Sequence, residues 1–439
     1  MLATIRAGAL AAALLAAGIA VPASARQATP AAADPACATD IPHREAPAVT
    51  DEIRALVAEM PAEVKVGQML MAGVVGSGLG EDEAALIAGG HLGNVILMGR
   101  NVDSPEQVLA LTQQVQEAAL AANGIGAIIA TDQEGGLVQR LNSVSGFTPM
   151  PDAATVGMAD CPAAIRAYGR MSGEELAAVG VTMAMAPVLD TNLDPDNPVI
   201  GQLGRAFATT PDGVIAAALP FMAGLHDAGV MAVGKHFPGH GSTATDSHLE
   251  LPVVDKDRDA LLAEDVVPFA AAIEAGIDGI MPAHVLYPAL DPEDRPATVS
   301  LPIQTGLLRE DLGFAGLIVT DDMGMQGITS RYEPREAGVA AVLAGADIVL
   351  CVRMESASSC SPAMYEELRA GLLDAVADGT ISEERLNASV ERIVSAKHAA
   401  SVGPASGAAI PQVKGAVHLR VLAALFDAIA ESRAQDGHP

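Results

Sequence analysis

The sequence predicts an α/β fold: a (β/α)8 barrel forming a single domain, with a helical extension at its C-terminus. The first observation is a series of short apolar runs: QMLMAGVV (68–75), NVILMG (94–99), AIIATD (127–132), TMAMAPVLD (182–190), VMAVGKHF (230–237), GIMPAH (279–284), LIVTDD (317–322) and DIVLCV (347–352). They are continuously apolar rather than alternating, as strands buried on both faces are. The second is that intervening segments such as PEQVLALTQQVQEAALAAN and RDALLAEDVVPFAAAIEAG carry apolar residues at three- and four-residue spacing, and several end in Gly. The third is length: eight strand–helix units over roughly 280 residues suit a barrel, for which about 250 is typical. A doubly wound open sheet would require a Gly-x-Gly-x-x-Gly turn after its first strand, and GSGLGED (76–82) lacks that spacing.

Taken in chain order, Arg6 precedes the apolar run Ala7–Val21, and Ala23-Ser24-Ala25 presents small residues where a signal peptidase reads. The run is shorter than the ~20 residues a membrane span needs. Residues 1–25 are therefore expected to be a cleaved signal peptide, which places the protein in a periplasm or outside the cell without a stable membrane anchor. Residues 26–50, rich in Ala, Pro and Asp, read as a disordered leader. The barrel is assigned to 51–400, and 401–439 to a linker and an amphipathic helix, KGAVHLRVLAALFDAIAESRA. Within the barrel's last helix, ISEERLNASVERIVSAKHAA, Ser382 suits an N-cap, with Glu383 and Glu384 at the positive end of the dipole. Export permits disulfides, and Cys37, Cys161, Cys351 and Cys360 allow three pairings that spacing does not rank.

Composition excludes some functions. A net charge of −29 opposes phosphate binding and rules against a nucleic-acid partner. The absence of Trp excludes a tryptophan platform for stacking sugars.

Active sites of such barrels lie at the carboxyl ends of the strands, and charged or titratable groups fall there at five successive strands. Asp132 ends the third, with Arg140 just beyond. Asp190 ends the fourth, with Arg205 after it, and Lys235 with His236 ends the fifth. His284 ends the sixth, and Asp321 with Asp322 the seventh. A metal site is not expected. The first strand ends in VVGSG rather than the His-x-His of barrel metallohydrolases, the eighth (VLCVRM) lacks their Asp, and Lys235 would repel a dication. No cofactor is required. A glycosidase needs two groups flanking the anomeric carbon. Asp321, at the end of a buried strand, suits the nucleophile, whereas Asp322 points the other way by alternation and serves structure.

The acid fits the segment KHFPGHGSTATDSH (235–248). If Asp246-Ser247-His248 is extended, Asp246 and His248 share a side, so the carboxylate orients the imidazole and favours its charged form. Gly239, Gly241 and the small residues 242–245 suit a loop that closes over substrate. His240 is read as orienting this loop.

These residues, with ATDQEGGLVQR, GRAF, MPAH and TDDMGM, resemble glycoside hydrolase family 3, most closely its single-domain β-N-acetylglucosaminidase branch, over about residues 50–400. The resemblance implies a retaining exo-β-N-acetylhexosaminidase acting on peptidoglycan fragments or chito-oligosaccharides. Asp321 would be the nucleophile and His248 the acid/base assisted by Asp246. Asp132, Arg140, Arg205, Lys235 and His236 would bind the sugar, and His284 is grouped with them. The alternatives are a β-glucosidase or β-xylosidase of the same family, or a carbohydrate-binding protein without catalysis.

Overall fold

The computed structural model describes residues 37–352, 360–405 and 415–435; the expected signal peptide lies outside them. The eight apolar runs form parallel strands, separated by one short hairpin: β1 (Leu70–Gly73), β2 (Asn94–Leu97), β3 (Ile128–Thr131), the hairpin strands β4 (Gln133–Gly135) and β5 (Val138–Gln139), then β6 (Met183–Ala184), β7 (Met231–Phe237), β8 (Gly279–Pro282), β9 (Leu317–Ile318) and β10 (Val349–Cys351). Their order is β10-β1-β2-β3-β6-β7-β8-β9. A parallel bridge between Val319 and Ile348 joins the two ends. The fold is thus the expected (β/α)8 barrel, and side chains such as Met71, Val95, Ile129, Met183, Val233, Ile280, Ile318 and Leu350 are buried in its core.

The helix Pro105–Asn123 coincides with its sequence run; Ser104 caps it and Gly124, at φ 75°, ends it. Ser382 caps Glu383–Ala399 as expected, accepting from the Arg385 N–H. The run starting at Arg258 differs from a plain helix. Leu261–Asp265 form a π turn before the α-helix resumes at Val267–Glu274. Pro268 has no N–H for the Glu264 carbonyl, so the ladder slips; the carbonyl instead accepts from Thr191 Oγ1 at 3.2 Å.

Part of the expected leader is fixed rather than free. From Cys37 onward it has little regular structure, but Cys37 is bonded to Cys161, and the Arg44 N–H donates to Ala275 O at 3.2 Å. The other pairing is Cys351–Cys360. The C-terminal helix Ala416–Gln435 lies against the helix Pro162–Ala178. It buries Leu422, Leu425 and Ile429, and sets His418 Nδ1 3.1 Å from Glu175 Oε1.

Near the strand N-termini, Lys397 donates to Gln68 Oε1 at 2.6 Å and Gly93 O at 2.9 Å. Burial pulls its amine down to about 7. Between pH 7 and the ordinary lysine range, the unfolded chain holds a proton that the folded chain lacks, so this group makes stability rise with pH. Chemical denaturation at pH 7.5 and 9.5 is expected to show wild type gaining roughly a few kcal/mol relative to Lys397→Met, which lacks the titrating amine. Equal gains in both would mean that Lys397 stays charged.

Candidate active site

At the carboxyl ends of the strands lies a cavity of about 370 Å³. Asp132, Arg140, Arg205, Lys235, His236, Asp246, His248 and Asp321 all line it, so eight of the nine residues expected from sequence are brought together. Lys235 and His236 are neighbours on β7, and strict alternation would send one of them away. The register with β8 shifts between Lys235 and Phe237, and both reach the cavity.

The floor is an ion-paired network. Lys235 Nζ lies 2.7 Å from Asp132 Oδ1 and 2.7 Å from Glu134 Oε1. Arg140 reaches the other Asp132 oxygen at 3.1 Å. Arg205 grips Glu134 through two bonds of 2.8 Å. Burial alone would raise the Asp132 carboxyl, but Lys235 and Arg140 bring it well below the ordinary range. Glu134 is likewise lowered, with Arg205 and Lys235 outweighing its burial. The ammonium of Lys235 is held charged by Asp132 and Glu134 against its own desolvation. Such buried charges persist only when paired, and here they form a rigid set of donors and acceptors facing the cavity.

Glu134 was not anticipated as a site residue. It stands two positions after Asp132, so the same-face rule for extended chain was the available signal. What concealed it was the β4–β5 hairpin, which begins just past the barrel strand. Asp190, recognised only as a strand end, orients an imidazole. Its Oδ2 is 2.8 Å from His236 Nδ1, and its Oδ1 accepts from the His240 N–H at 2.7 Å. The apolar wall includes Met98, Val138, Leu203, Met281 and Met325. Methionine supplies soft, polarisable contact in a chain without Trp.

Asp321 follows β9. Its Oδ1 accepts from the Asp322 N–H at 2.8 Å. Burial pushes its carboxyl up, yet His284, His236, His248 and that N–H together hold it below the ordinary value. It is therefore ionised across the neutral range, as a nucleophile must be. Asp322 does not point away as alternation predicts, since it too lines the cavity, but it keeps the structural role expected of it: its Oδ1 accepts from the N–H groups of Gly324 (3.2 Å) and Val352 (2.9 Å).

His284 is a correction. It is fully buried and does not line the cavity. Its Nδ1 is 2.7 Å from Thr298 Oγ1, and its Nε2 donates to Asp322 O at 3.0 Å. With both nitrogens engaged it has nothing to offer a sugar, and it instead braces the backbone beside Asp321. Burial lowers its affinity for a proton, against the pull of nearby Asp321.

On the opposite rim, His248 Nδ1 is 2.7 Å from Asp246 Oδ1. The contact is as expected, but the backbone is not extended. The same oxygen accepts from the His248 N–H at 2.8 Å, and the Leu249 and Glu250 N–H groups bond to Asp246 O at 2.9 and 3.0 Å. Asp246 opens a tight turn, as Asx side chains do. Nδ1 donates to the carboxylate, which leaves the ring's other nitrogen, Nε2, outside this contact. The His248 side chain is 54 % exposed, so a proton can be exchanged with solvent. Beneath it, buried His240 contacts Thr243 Oγ1 at 2.7 Å and Ser247 Oγ at 3.0 Å, the loop-orienting role expected of it. The base of the loop is tied down: residues 239–241 are buried, Ser242, Thr245 and Asp246 are half-buried, and Ala244 and His248 are exposed. Among the described residues no group of three or more His, Cys, Asp or Glu is arranged to hold a metal ion.

The chain is similar to known proteins. A family model described as the glycosyl hydrolase family 3 N-terminal domain matches residues 62–396. A β-hexosaminidase of Methylococcus capsulatus is 42% identical over 296 residues, covering 66% of this chain and 85% of its own. Beta-hexosaminidase A of Pseudoalteromonas piscicida is 37% identical over 327 residues, and the match covers 71% of this chain but only 54% of that longer protein. The structure of a family 3 β-N-acetylglucosaminidase from Paenibacillus sp. str. FPU-7 superposes with a TM-score of 0.74 at 40% identity, over 78% of this chain and 63% of that one. Since the match to the family model runs from the helix before β1 through all the barrel strands into the helix Glu383–Ala399, the chain belongs to glycosyl hydrolase family 3.

Proposed function

We propose that this protein is an exo-acting β-N-acetylglucosaminidase that hydrolyses terminal β-linked N-acetylglucosamine with retention, through a covalent glycosyl-enzyme. The observation that carries this reading is the placement of Asp321 and the Asp246–His248 pair in one cavity whose floor is the Asp132–Glu134–Lys235–Arg140–Arg205 network. The network binds the hydroxyls of one terminal sugar and blocks the chain from running on, which suits exo action. Asp321 attacks the anomeric carbon as His248 Nε2 gives its proton to the leaving oxygen, breaking the glycosidic bond. Water, losing a proton to the same imidazole, then displaces Asp321.

The substrate class follows the relatives, which are named β-hexosaminidases and a β-N-acetylglucosaminidase. Peptidoglycan fragments and chito-oligosaccharides are the natural glycans proposed. Export to a periplasm or the exterior is proposed as well. It is supported by the N-terminal pattern and by the pairing of all four cysteines in disulfides, which persist in oxidising compartments. The test compares a chromogenic β-N-acetylglucosaminide with the matching β-glucoside. A preference of roughly 10²-fold or more in kcat/KM for the former is expected, about the discrimination a site gives when a substrate lacks groups it is built to contact. Equal rates would favour a β-glucosidase, and inertness toward both would favour a binding protein.

A further inference from the structure

Under the loop that carries Asp246 and His248 lies a second set of charges, none of which lines the cavity. Its centre is Asp265, buried at the end of the π turn. Lys256 Nζ lies 2.5 Å from Asp265 Oδ2 and 2.7 Å from Glu264 Oε2. Ser242, in the loop itself, donates to Asp265 Oδ1 at 3.3 Å. The loop's first residue also rests on this group. Gly239 has φ 147°, and a Cβ there would meet the Asp265 Cβ at 2.6 Å, so only glycine fits.

The surroundings make this a fixed base. Tyr287 donates to Gly239 O at 2.8 Å. The Glu264 carbonyl, freed by Pro268, is held by Thr191 Oγ1, and a Cβ on Gly241 would lie 1.7 Å from the Thr191 carbonyl oxygen. An ordinary α-helix would bond the Glu264 carbonyl internally and turn Asp265 to another face, so the π turn is what aims this carboxylate at the loop.

We propose that Asp265, paired with Lys256, is a positioning residue that fastens the base of the 239–248 loop and thereby sets where His248 stands during proton transfer. The proposal rests on the assignment of His248 as acid/base. Burial pushes the Asp265 carboxyl up to about 6, although Lys256 and Ser242 draw it down. The charged and titratable groups facing it are Lys256, Glu264 and Tyr287. Protonation of Asp265 as pH falls through 6 removes the ion pair and slackens the loop, so the acid limb of activity includes this group. Asp321, already ionised well below that pH, does not contribute there.

The experiment measures kcat/KM, which reports glycosylation, for Asp265→Asn, Ser242→Ala and His248→Ala. One substrate is chitobiose, whose leaving group needs a proton, and the other is a 2,4-dinitrophenyl N-acetylglucosaminide, whose leaving group does not. Asp265→Asn is expected to lose about ten- to a hundredfold on chitobiose, the scale of a misplaced catalytic group, and to change little on the dinitrophenyl glycoside. Its chitobiose acid limb should lack the component near pH 6. Ser242→Ala should show a smaller loss of the same kind with the wild-type limb, and it supplies the test if Asp265→Asn does not fold. Equal losses on both substrates, or no loss on either, overturn the positioning role. Leaving-group dependence in His248→Ala alone overturns only that role, whereas its absence from His248→Ala overturns the acid/base assignment itself.

Discussion

Asp321→Asn is expected to lower hydrolysis of a β-N-acetylglucosaminide by roughly four orders of magnitude, the scale seen when a group acting directly in the chemistry is removed. The side chain keeps its shape, and its amide oxygen can still accept the Asp322 N–H that now meets Oδ1 at 2.8 Å. Asp321 has no cationic partner among the ion pairs of the site, unlike Asp132 and Glu134. The variant should therefore unfold at the wild-type temperature, and the loss can be read as chemistry. A 5-fluoro N-acetylglucosaminyl fluoride, which forms the glycosyl-enzyme faster than it is hydrolysed, should label wild type on the peptide containing Asp321 and leave the variant unlabelled. The rival is attack by the substrate's own acetamide. Under that route no label accumulates and a thiazoline analogue binds tightly. Undiminished activity in Asp321→Asn would remove this residue from the chemistry altogether.

The sequence disclosed most of this site because a barrel turns strand order into geometry. Once eight apolar runs are recognised, the residue closing each run must lie on one face, and Asp132, Lys235, His236 and Asp321 follow without any knowledge of distances. His284 closes a run as well, yet it packs inward against Thr298. Strand-end position fixes a residue's height in the barrel but not the direction of its side chain. Glu134 and Asp265 were missed for a different reason. Each is aimed by a local irregularity, a hairpin just past β3 and a π turn at Pro268; Asp265 leaves no periodic trace, and the two-residue spacing of Glu134 from Asp132 is masked because the barrel strand has already ended. Cysteine pairing depends on which distant segments the fold brings together. Cys37–Cys161 spans 124 positions, and no spacing rule reaches that far. Lys397 shows the same limit in the core: its two neutral acceptors, on Gln68 and Gly93, lie 329 and 304 positions away in the chain.

His248→Ala separates proton transfer from nucleophilic attack. On chitobiose, kcat/KM should fall by roughly 10²- to 10⁴-fold, the usual worth of general acid catalysis. On a dinitrophenyl glycoside the first step should proceed close to the wild-type rate, because that leaving group departs as a stable anion. The second step still needs a base for water. Turnover should then show a burst of one equivalent of dinitrophenolate followed by a slow phase, as the glycosyl-enzyme accumulates on Asp321. Azide needs no base, and should both quicken the slow phase and yield the β-glycosyl azide, retention arising from two inversions. Asp246→Asn should give a milder form of the same pattern. Its amide keeps the turn by accepting the His248 N–H, but loses the charge that steadies the imidazolium 2.7 Å away. An α-azide would mean that azide displaces the leaving group directly and no glycosyl-enzyme forms on Asp321, whereas a wild-type rate on chitobiose would place the acid elsewhere. The remaining carboxylates lining the cavity, Asp132 and Glu134, are ion-paired in the floor, and Asp322 is held by backbone N–H groups. Among these lining groups, the Asp246–His248 pair is thus the one left with a nitrogen and solvent access to supply the proton.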